Sequence, residues 1–437
     1  MKDLPEVTPF TESEKMGFIS RQLVETRQSM KAVTQLLKNL YPDTEIVYVK
    51  AKLASDFKNE FGLAPKSRII NDLHHAKDAY LNVVAGNVYN ERFTKKWFQI
   101  NEKYSMKTKV LFGHDVKNGD GLIWDSKNDF QTVKATYEKN NIHLTRYAFC
   151  QKGGLFDQMP MKKGQGQIPL KKGMDINKYG GYNKASASFF VVAKYLRGGK
   201  TEVSFVPVEL MVSERFMSDD AFALDYIKSV LEGMNTKKIE NVEMPLGKRI
   251  VKIKSVLSLD GYKVWINGKA SGGKQLLITS AESLILPVEV IEYIKRIENY
   301  SEKKKQNKNI IHDEENDKLS VEKNIKIFDI LTDKLNSLHY KKMPGNQYET
   351  LLNGRDKFIR LDFDKQISTL LNCIALLKSG RAGGCDLQNI GGKSSSGAMV
   401  LSSSLSNFAG KYTEVDIIDI SPSGLYENRT CNLMELF

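Results

Sequence analysis

The strongest constraint on what this chain can fold into is a change of texture near residue 147. Upstream of it, apolar residues recur at helical spacing; downstream, glycine pairs break the sequence into short β-rich runs. In the first part Thr11 and Glu14 form a capping-box signal, and Phe18, Leu23, Met30, Val33 and Leu37 keep a helical period until Tyr41-Pro42 ends it. Residues 45–53 read as a strand and 55–61 as a short helix closed by Gly62. A second substantial helix starts at Asn71 or Asp72 and runs to Gly86. Alternating strand and helix predicts an α/β layer here. In the second part Gly153-Gly154, Gly180-Gly181 and Gly198-Gly199 separate runs such as 186–193 and 202–208, which predict strands. Residues 301–324 are half charged and mixed in sign, and predict a solvated loop between two helices. Helical periods occupy 325–338 and 363–377, and the Gly/Ser-rich remainder is β-like, with 415–420 alternating. The expected fold class is α/β and α+β, an α/β part followed by a β-rich region with a helical insertion.

At 437 residues the chain has room for about two to four domains. Its 65 Lys+Arg against 52 Asp+Glu leave a net charge of +13, which predicts a polyanionic partner such as nucleic acid. On charge alone a ribosomal or membrane-surface partner stays open. No apolar run reaches the roughly 18 residues that span a bilayer, and the start, MKDLPEVTPF, lacks the apolar stretch of a secretory signal. The expectation is a cytoplasmic protein with no membrane partner. Four scattered cysteines without a CxxC pair argue against structural zinc and for reduced thiols; Cys373, in an apolar run, reads as a small buried hydrophobe.

In the block HHAKDAYLN beginning at His74, His75 and Asp78 are three apart and share one helical face. Such a pair suits a divalent metal or an oriented water, as in two-metal nucleases, although this spacing on a helix is more often an ion pair or a cap contact. Lys178-Tyr179-Gly180-Gly181-Tyr182-Asn183-Lys184 mixes cations, rings and pliant backbone. That is the composition of a loop that approaches phosphates or stacks on bases, and also of a glycine turn with two half-buried tyrosines. Gly391-Gly392-Lys393-Ser394 lacks the upstream glycine of a phosphate loop, because Leu387 stands there, so nucleotide hydrolysis is excluded. With neither GxSxG nor HExxH present, a serine hydrolase or metalloprotease has no support.

Four blocks in order, GFISRQLVETRQ from Gly17, HHAKDAYLN from His74, KYGGY from Lys178 and SGLYE from Ser423, resemble the C-terminal part of the type II CRISPR effector nuclease (Cas-nine) family. The resemblance implies that residues 1–16 are a linker leaving an HNH nuclease domain, 17–146 the third segment of a RuvC-like domain of RNase-H-like fold, and 147–437 the PAM-interacting region. It implies a role in CRISPR antiviral defence in a bacterial cytoplasm, cutting the non-target DNA strand with two Mg2+ or Mn2+ ions. Asp78 falls on the family's metal-ligand position and His75 on the residue that orients or deprotonates the attacking water and counts among the metal ligands, while His74 is structural. Guide RNA and the PAM duplex of target DNA are the implied partners. The recognition lobe, the HNH domain and the first two RuvC segments lie outside this sequence, so the chain alone is expected to be inactive.

Gly153 and Gly154 match the turn before the loop whose backbone amides hold a target-strand phosphate, where Phe156, Asp157 and Gln158 depart from the basic residue of some members. Where well-known members place two guanine-reading arginines, this sequence has Leu401-Ser402-Ser403-Ser404-Leu405-Ser406, so a different PAM is expected, with Ser403 at the base edges. Lys393 and Lys411 flank this hairpin as candidate phosphate contacts. The alternatives are a non-catalytic DNA/RNA-binding remnant, a split-effector half and an independent RNase-H-like nuclease.

Overall fold

The computed structural model describes residues 12–49, 52–94, 111–139, 144, 147–156, 160–161, 167–182, 185–335, 340–342, 347–379, 385–394, 399–429 and 432–437. The chain divides into two compact units, one of residues 1–63 and 76–138 and the other of residues 64–75 and 139–437.

In the first unit the predicted long helix is α1 (Glu12–Leu40), ending at the expected Tyr41-Pro42. Its apolar stripe is present but exposed at Leu23, Met30 and Val33. Two further helices, α2 (Leu53–Glu60) and α3 (His74–Tyr89, whose first two residues fall in the second unit), are followed by a hairpin of β1 (Val116–Asn118) and β2 (Gly121–Trp124) and by α4 (Asp129–Glu138). Trp124, 2% exposed, packs edge-on to Phe112 and Phe57, and its indole N–H donates to the Phe112 carbonyl at 2.8 Å. An indole with its donor satisfied can sit in an apolar cluster at no polar cost.

Two sequence expectations are corrected here. Residues 45–49 form no strand: among the described residues no other strand pairs with them, and a strand exists only through its ladder. Gly86 does not end α3, which continues to Tyr89 and passes into a π-helical turn (Asn90–Thr94). A Cβ at Gly86 would lie 2.5 Å from Val49 Cγ2, so glycine is required there by close packing, not as a stop signal.

The second unit is built on antiparallel sheets. Short β3 (Ile168–Pro169) pairs with β4 (Gly181–Tyr182), separated by the helical turn α5 (Ile176–Tyr179). The long hairpin β5 (Ala187–Arg197) and β6 (Lys200–Glu209) follows, then α6 (Ser213–Ser218), α7 (Asp220–Met234), β7 (Ile239–Glu243) and β8 (Val251–Lys252), both of the last pairing with β5. Strand β5 is covered on both faces: Phe190 and Val192 enter the main core, whereas Phe189, Val191, Ala193 and Tyr195 pack on Phe216, Ile227 and Leu231 of α6 and α7. That double burial explains why its sequence is a continuous apolar run and not an alternation.

The larger sheet contains β9 (Val256–Leu259), β10 (Tyr262–Ala270), β11 (Gln275–Ser280), β12 (Val400–Ser402), β13 (Val415–Ile420) and β14 (Glu427–Arg429), in the order β12-β11-β10-β9-β13-β14. Between β11 and β12 lies the helical insertion: α8 (Val288–Gln306), α9 (Glu314–Asp317), α10 (Val321–Leu335), α11 (Gln347–Leu352), α12 (Arg355–Ile359) and α13 (Phe363–Ser379). The predicted loop at 301–324 is shorter than its charge pattern implied. Lys303, Lys304 and Lys305 form the last turn of α8, where cations favour the helix C-terminus, and Asp313 caps α9. A buried polar chain ties three helices together: the Tyr293 hydroxyl donates to Asn324 Oδ1 at 2.8 Å, and Asn324 Nδ2 donates to Gln366 Oε1 at 3.2 Å. Cys373 and Cys385 are buried and Cys150 is partly buried. Burial raises both buried thiols, Cys385 to about 11. Among the described residues no helix is long and apolar enough to cross a membrane.

Candidate functional site

The turn into α3 is fixed by Asn71, whose side-chain oxygen accepts from the Leu73 amide at 3.1 Å while its Nδ2 donates to the Leu284 carbonyl at 2.7 Å. This turn decides which histidine faces outward. His74 is 6% exposed, and His75, its ring 4.1 Å from that of His74, is exposed. Three positions along the same helix stands Asp78, half-buried.

Asp78 has a neighbour that the sequence reading missed. Lys58 of α2 is only 7% exposed and its Nζ lies 2.7 Å from Asp78 Oδ1. One signal for it was available: Leu53, Ala54, Phe57 and Lys58 are the buried residues of α2, so this lysine lies on the apolar stripe of an amphipathic helix. The Lys58 ammonium is the cation that Asp78 already faces. The nearby Tyr137 hydroxyl is pushed up by burial and then by the Asp78 charge, so it stays protonated and uncharged. Lys77 sits 4.8 Å from the Tyr137 ring and is pushed down by burial. Among the described residues no three His, Cys, Asp or Glu side chains converge as a metal cluster. His75 and Asp78 thus offer one nitrogen and one carboxylate, a partial donor set for a hard divalent ion.

Because Lys58 is buried, removing its partner leaves an uncompensated charge. Asp78→Asn is expected to destabilise the first unit by about 1–3 kcal/mol, whereas Lys58→Met, which keeps the packing and removes the charge, is expected to be near neutral. Urea denaturation of the two variants, followed by the fluorescence of the unit's buried Trp124, measures both.

In the second unit Gly153 has φ +117°, and residues 151–156 are stitched to the start of β5: Gln151 N donates to the Ser188 carbonyl at 3.0 Å and Ser186 N to the Leu155 carbonyl at 2.9 Å. Gly154 is exposed, and Phe156 stacks on Tyr182 at 3.9 Å with the rings within 2° of parallel. Asp157, Gln158, Asn183 and Lys184 lie outside the described residues. Lys178 and Tyr179 close α5, both exposed, with Lys178 Nζ 5.1 Å from the Tyr179 ring. Gly181 is sterically required, since a Cβ there would lie 2.4 Å from the Ile168 carbonyl oxygen. Lys393 and Lys411 are exposed, the latter 5.5 Å from the Tyr412 ring and pushed down by burial.

Ser403 departs from its expected place at base edges. It is 5% exposed, its amide donates to the Lys274 carbonyl at 2.9 Å and its carbonyl accepts from Phe205 N at 2.8 Å, so it joins the two sheets and offers no free face. Its neighbours Ser404 and Ser406 are instead partly open and turn toward Glu202 of β6. Sequence reasoning missed Glu202 because it opens a run read only as a short β-rich segment after Gly198-Gly199.

A helix carrying His-x-x-Asp and, in the other unit, antiparallel sheets with a helical insertion are compatible with part of a nuclease domain followed by a separate interaction domain. The family comparisons agree. Residues 27–97 match the Cas9 RuvC domain, and residues 152–428, more than half of the chain, match the PAM-interacting domain of CRISPR-associated endonuclease Cas9. The chain belongs to the CRISPR-associated endonuclease Cas9 family. It is 31% identical over 253 residues to the CRISPR-associated endonuclease Cas9 of Listeria innocua, covering 49% of this chain and 19% of that protein. To that of Streptococcus mutans it is 28% identical over 320 residues, 63% of this chain and 22% of the relative. The chain therefore spans about a fifth of the length of these curated relatives.

Proposed function

We propose that this chain supplies the PAM-duplex-binding surface and one edge of a RuvC-type nuclease centre to an RNA-guided DNA endonuclease. The observation that carries this reading is the continuous match of residues 152–428 to a PAM-interacting domain, downstream of a RuvC match that contains His75 and Asp78. In this assignment residues 1–16 are a linker, 17–146 the third RuvC segment and 147–437 the PAM-interacting region. The partners are guide RNA, the PAM duplex of target DNA and the upstream segments of such an effector. The exposed apolar stripe of α1 supports the last of these, because an amphipathic helix of 29 residues is stable in water only with that stripe covered.

The centre would take Mg2+ or Mn2+, which suit carboxylate oxygen and imidazole nitrogen and lower the pKa of a bound water. The donor test on this chain is only partly met. Asp78 supplies one carboxylate, already paired with Lys58, and His75 one exposed nitrogen. Two ligands do not make a two-ion site. What His75 does in this reading is hold or accept the proton of the attacking water, and what Lys58 does is fix the direction of the Asp78 carboxylate.

Co-expression with the upstream half of a related effector and a guide RNA, followed by a randomised-PAM cleavage screen, tests the reading. Guide-dependent depletion of particular PAM sequences is the expected result. Absence of guide-dependent cleavage, together with absence of duplex binding by the chain, would refute it.

A further inference from the structure

The turn that follows β12 carries a polar cluster which no motif foreshadows. Glu202 is 6% exposed, a carboxylate more than nine-tenths buried. Its Oε1 accepts from Arg197 Nη2 at 2.7 Å, while its Oε2 accepts from Ser404 Oγ at 2.9 Å and from Ser406 Oγ. The two serine oxygens are 2.6 Å apart. Arg197 is held from behind: its Nη1 donates to Asn235 Oδ1 at 3.0 Å, and Asn235 Nδ2 donates to the Leu231 carbonyl at 2.7 Å. Burial alone raises the Glu202 carboxyl, but the Ser406 and Ser404 hydroxyls and Arg197 outweigh it and hold the group below its ordinary value. The cluster borders a cavity of about 650 Å3 whose lining includes Arg197, Lys200, Glu202, Lys237 and Ser406.

Proton bookkeeping gives this cluster a polarity. Each hydroxyl has one proton, and both protons are committed within the cluster, to a buried anion or to the other serine. Hydrogen bonds to an ionised acceptor are about twice as strong as neutral ones, so turning a serine proton outward is unfavourable. What Ser404 and Ser406 can offer a ligand is therefore lone pairs. Arg197, the one guanidinium of the cluster, commits one N–H of each Nη to Glu202 and Asn235, which anchors it beside the carboxylate. Lys200 and Lys237 are exposed at the cavity, where they offset the carboxylate's repulsion of a phosphate backbone.

In the major groove adenine N6 and cytosine N4 are amine donors, whereas guanine offers N7 and O6 and thymine O4 as acceptors. We infer that the Glu202–Ser404–Ser406 cluster is an acceptor site for the exocyclic amine of adenine or cytosine, with Glu202 as the positioning residue that fixes the direction of the two hydroxyls. The inference rests on the reading that this unit binds duplex DNA, and adds to it the chemistry of one base position.

The test is selection of duplexes, from a library randomised over a short window, by the full chain, with Glu202→Gln and Ser406→Ala beside the unsubstituted protein. In Glu202→Gln, Arg197 holds the amide oxygen, so the amide N–H2 faces the serines; they become acceptors toward it and donors outward. The expected result is enrichment of adenine or cytosine at one position, a reversal toward guanine or thymine of about tenfold in Glu202→Gln, and loss of the preference in Ser406→Ala. Circular dichroism confirms that each variant is folded. Duplex binding without a base preference, or a preference that neither variant moves, overturns the inference and leaves the DNA-binding reading standing. Failure of the unsubstituted chain to bind any duplex overturns both.

Discussion

In an assembly that restores the upstream segments and a guide RNA, Asp78→Ala is expected to abolish the nick made by the RuvC-type centre, and His75→Ala to slow it by about 10²–10⁴-fold. The ordering follows from the chemistry each side chain offers. Asp78 contributes anionic charge to a centre that must hold cations, and a neutral methyl group cannot replace it. His75 is exposed at the start of α3, where it can meet a water, and loss of a positioned proton acceptor typically costs about that factor. Supercoiled plasmid carrying the matched target, scored for open-circular product with divalent ion and with chelator, reads both variants. Because Asp78 also compensates Lys58, its loss has a structural component that must be separated. The double variant Lys58→Met with Asp78→Asn removes both charges and keeps the shape. A fully folded double variant that still fails to nick places Asp78 in the chemistry; one that nicks at the normal rate would reduce the pair to a structural salt bridge.

The features legible in the sequence are those whose causes are local. Tyr41-Pro42 stops α1 because proline cannot continue a helix, and β5 and β6 appear where residues 186–193 and 202–208 are apolar and β-branched or aromatic. His75 and Asp78 are legible because three residues on a helix is a fixed geometry. What was misread depends on chain that is distant in sequence. Gly86 looked like a terminator, and only the position of Val49 makes it a packing contact. Residues 45–53 have strand composition but no described ladder partner, and composition cannot supply one. Ser403 was chosen for base contact from its place in a hairpin. Pairing of its neighbours with β6 and β11 buries it and hands the open positions to Ser404 and Ser406. Glu202 and Lys58 share one lesson: a charge on an otherwise apolar stripe deserves a search for its partner, and that partner is known only after folding.

Duplex binding by the chain is expected to weaken by about 10³-fold between 50 and 200 mM salt if about six phosphates are neutralised, through release of condensed counterions. The net charge of +13 makes such a footprint available. Formal charge overstates it, since many cations are already spent: Lys263 on Glu427, Lys269 on Glu209 and Arg355 on Asp329 are ion-paired. The cations that matter are exposed ones such as Lys178, Lys200, Lys237, Lys393 and Lys411, which have no ion-pair partner among the described residues. Fluorescence polarisation with a labelled duplex across that salt range gives the slope of log K against log salt. The double variant Lys200→Ala with Lys237→Ala should flatten the slope by about two if both lysines contact phosphate, and should weaken all sequences alike. Base preference at the Glu202 cluster should survive in that variant, because phosphate contacts set position and affinity while base edges set sequence. A slope near zero for the unsubstituted chain would mean that its charge serves solubility, and that the duplex is held, if at all, by contacts other than those this surface offers.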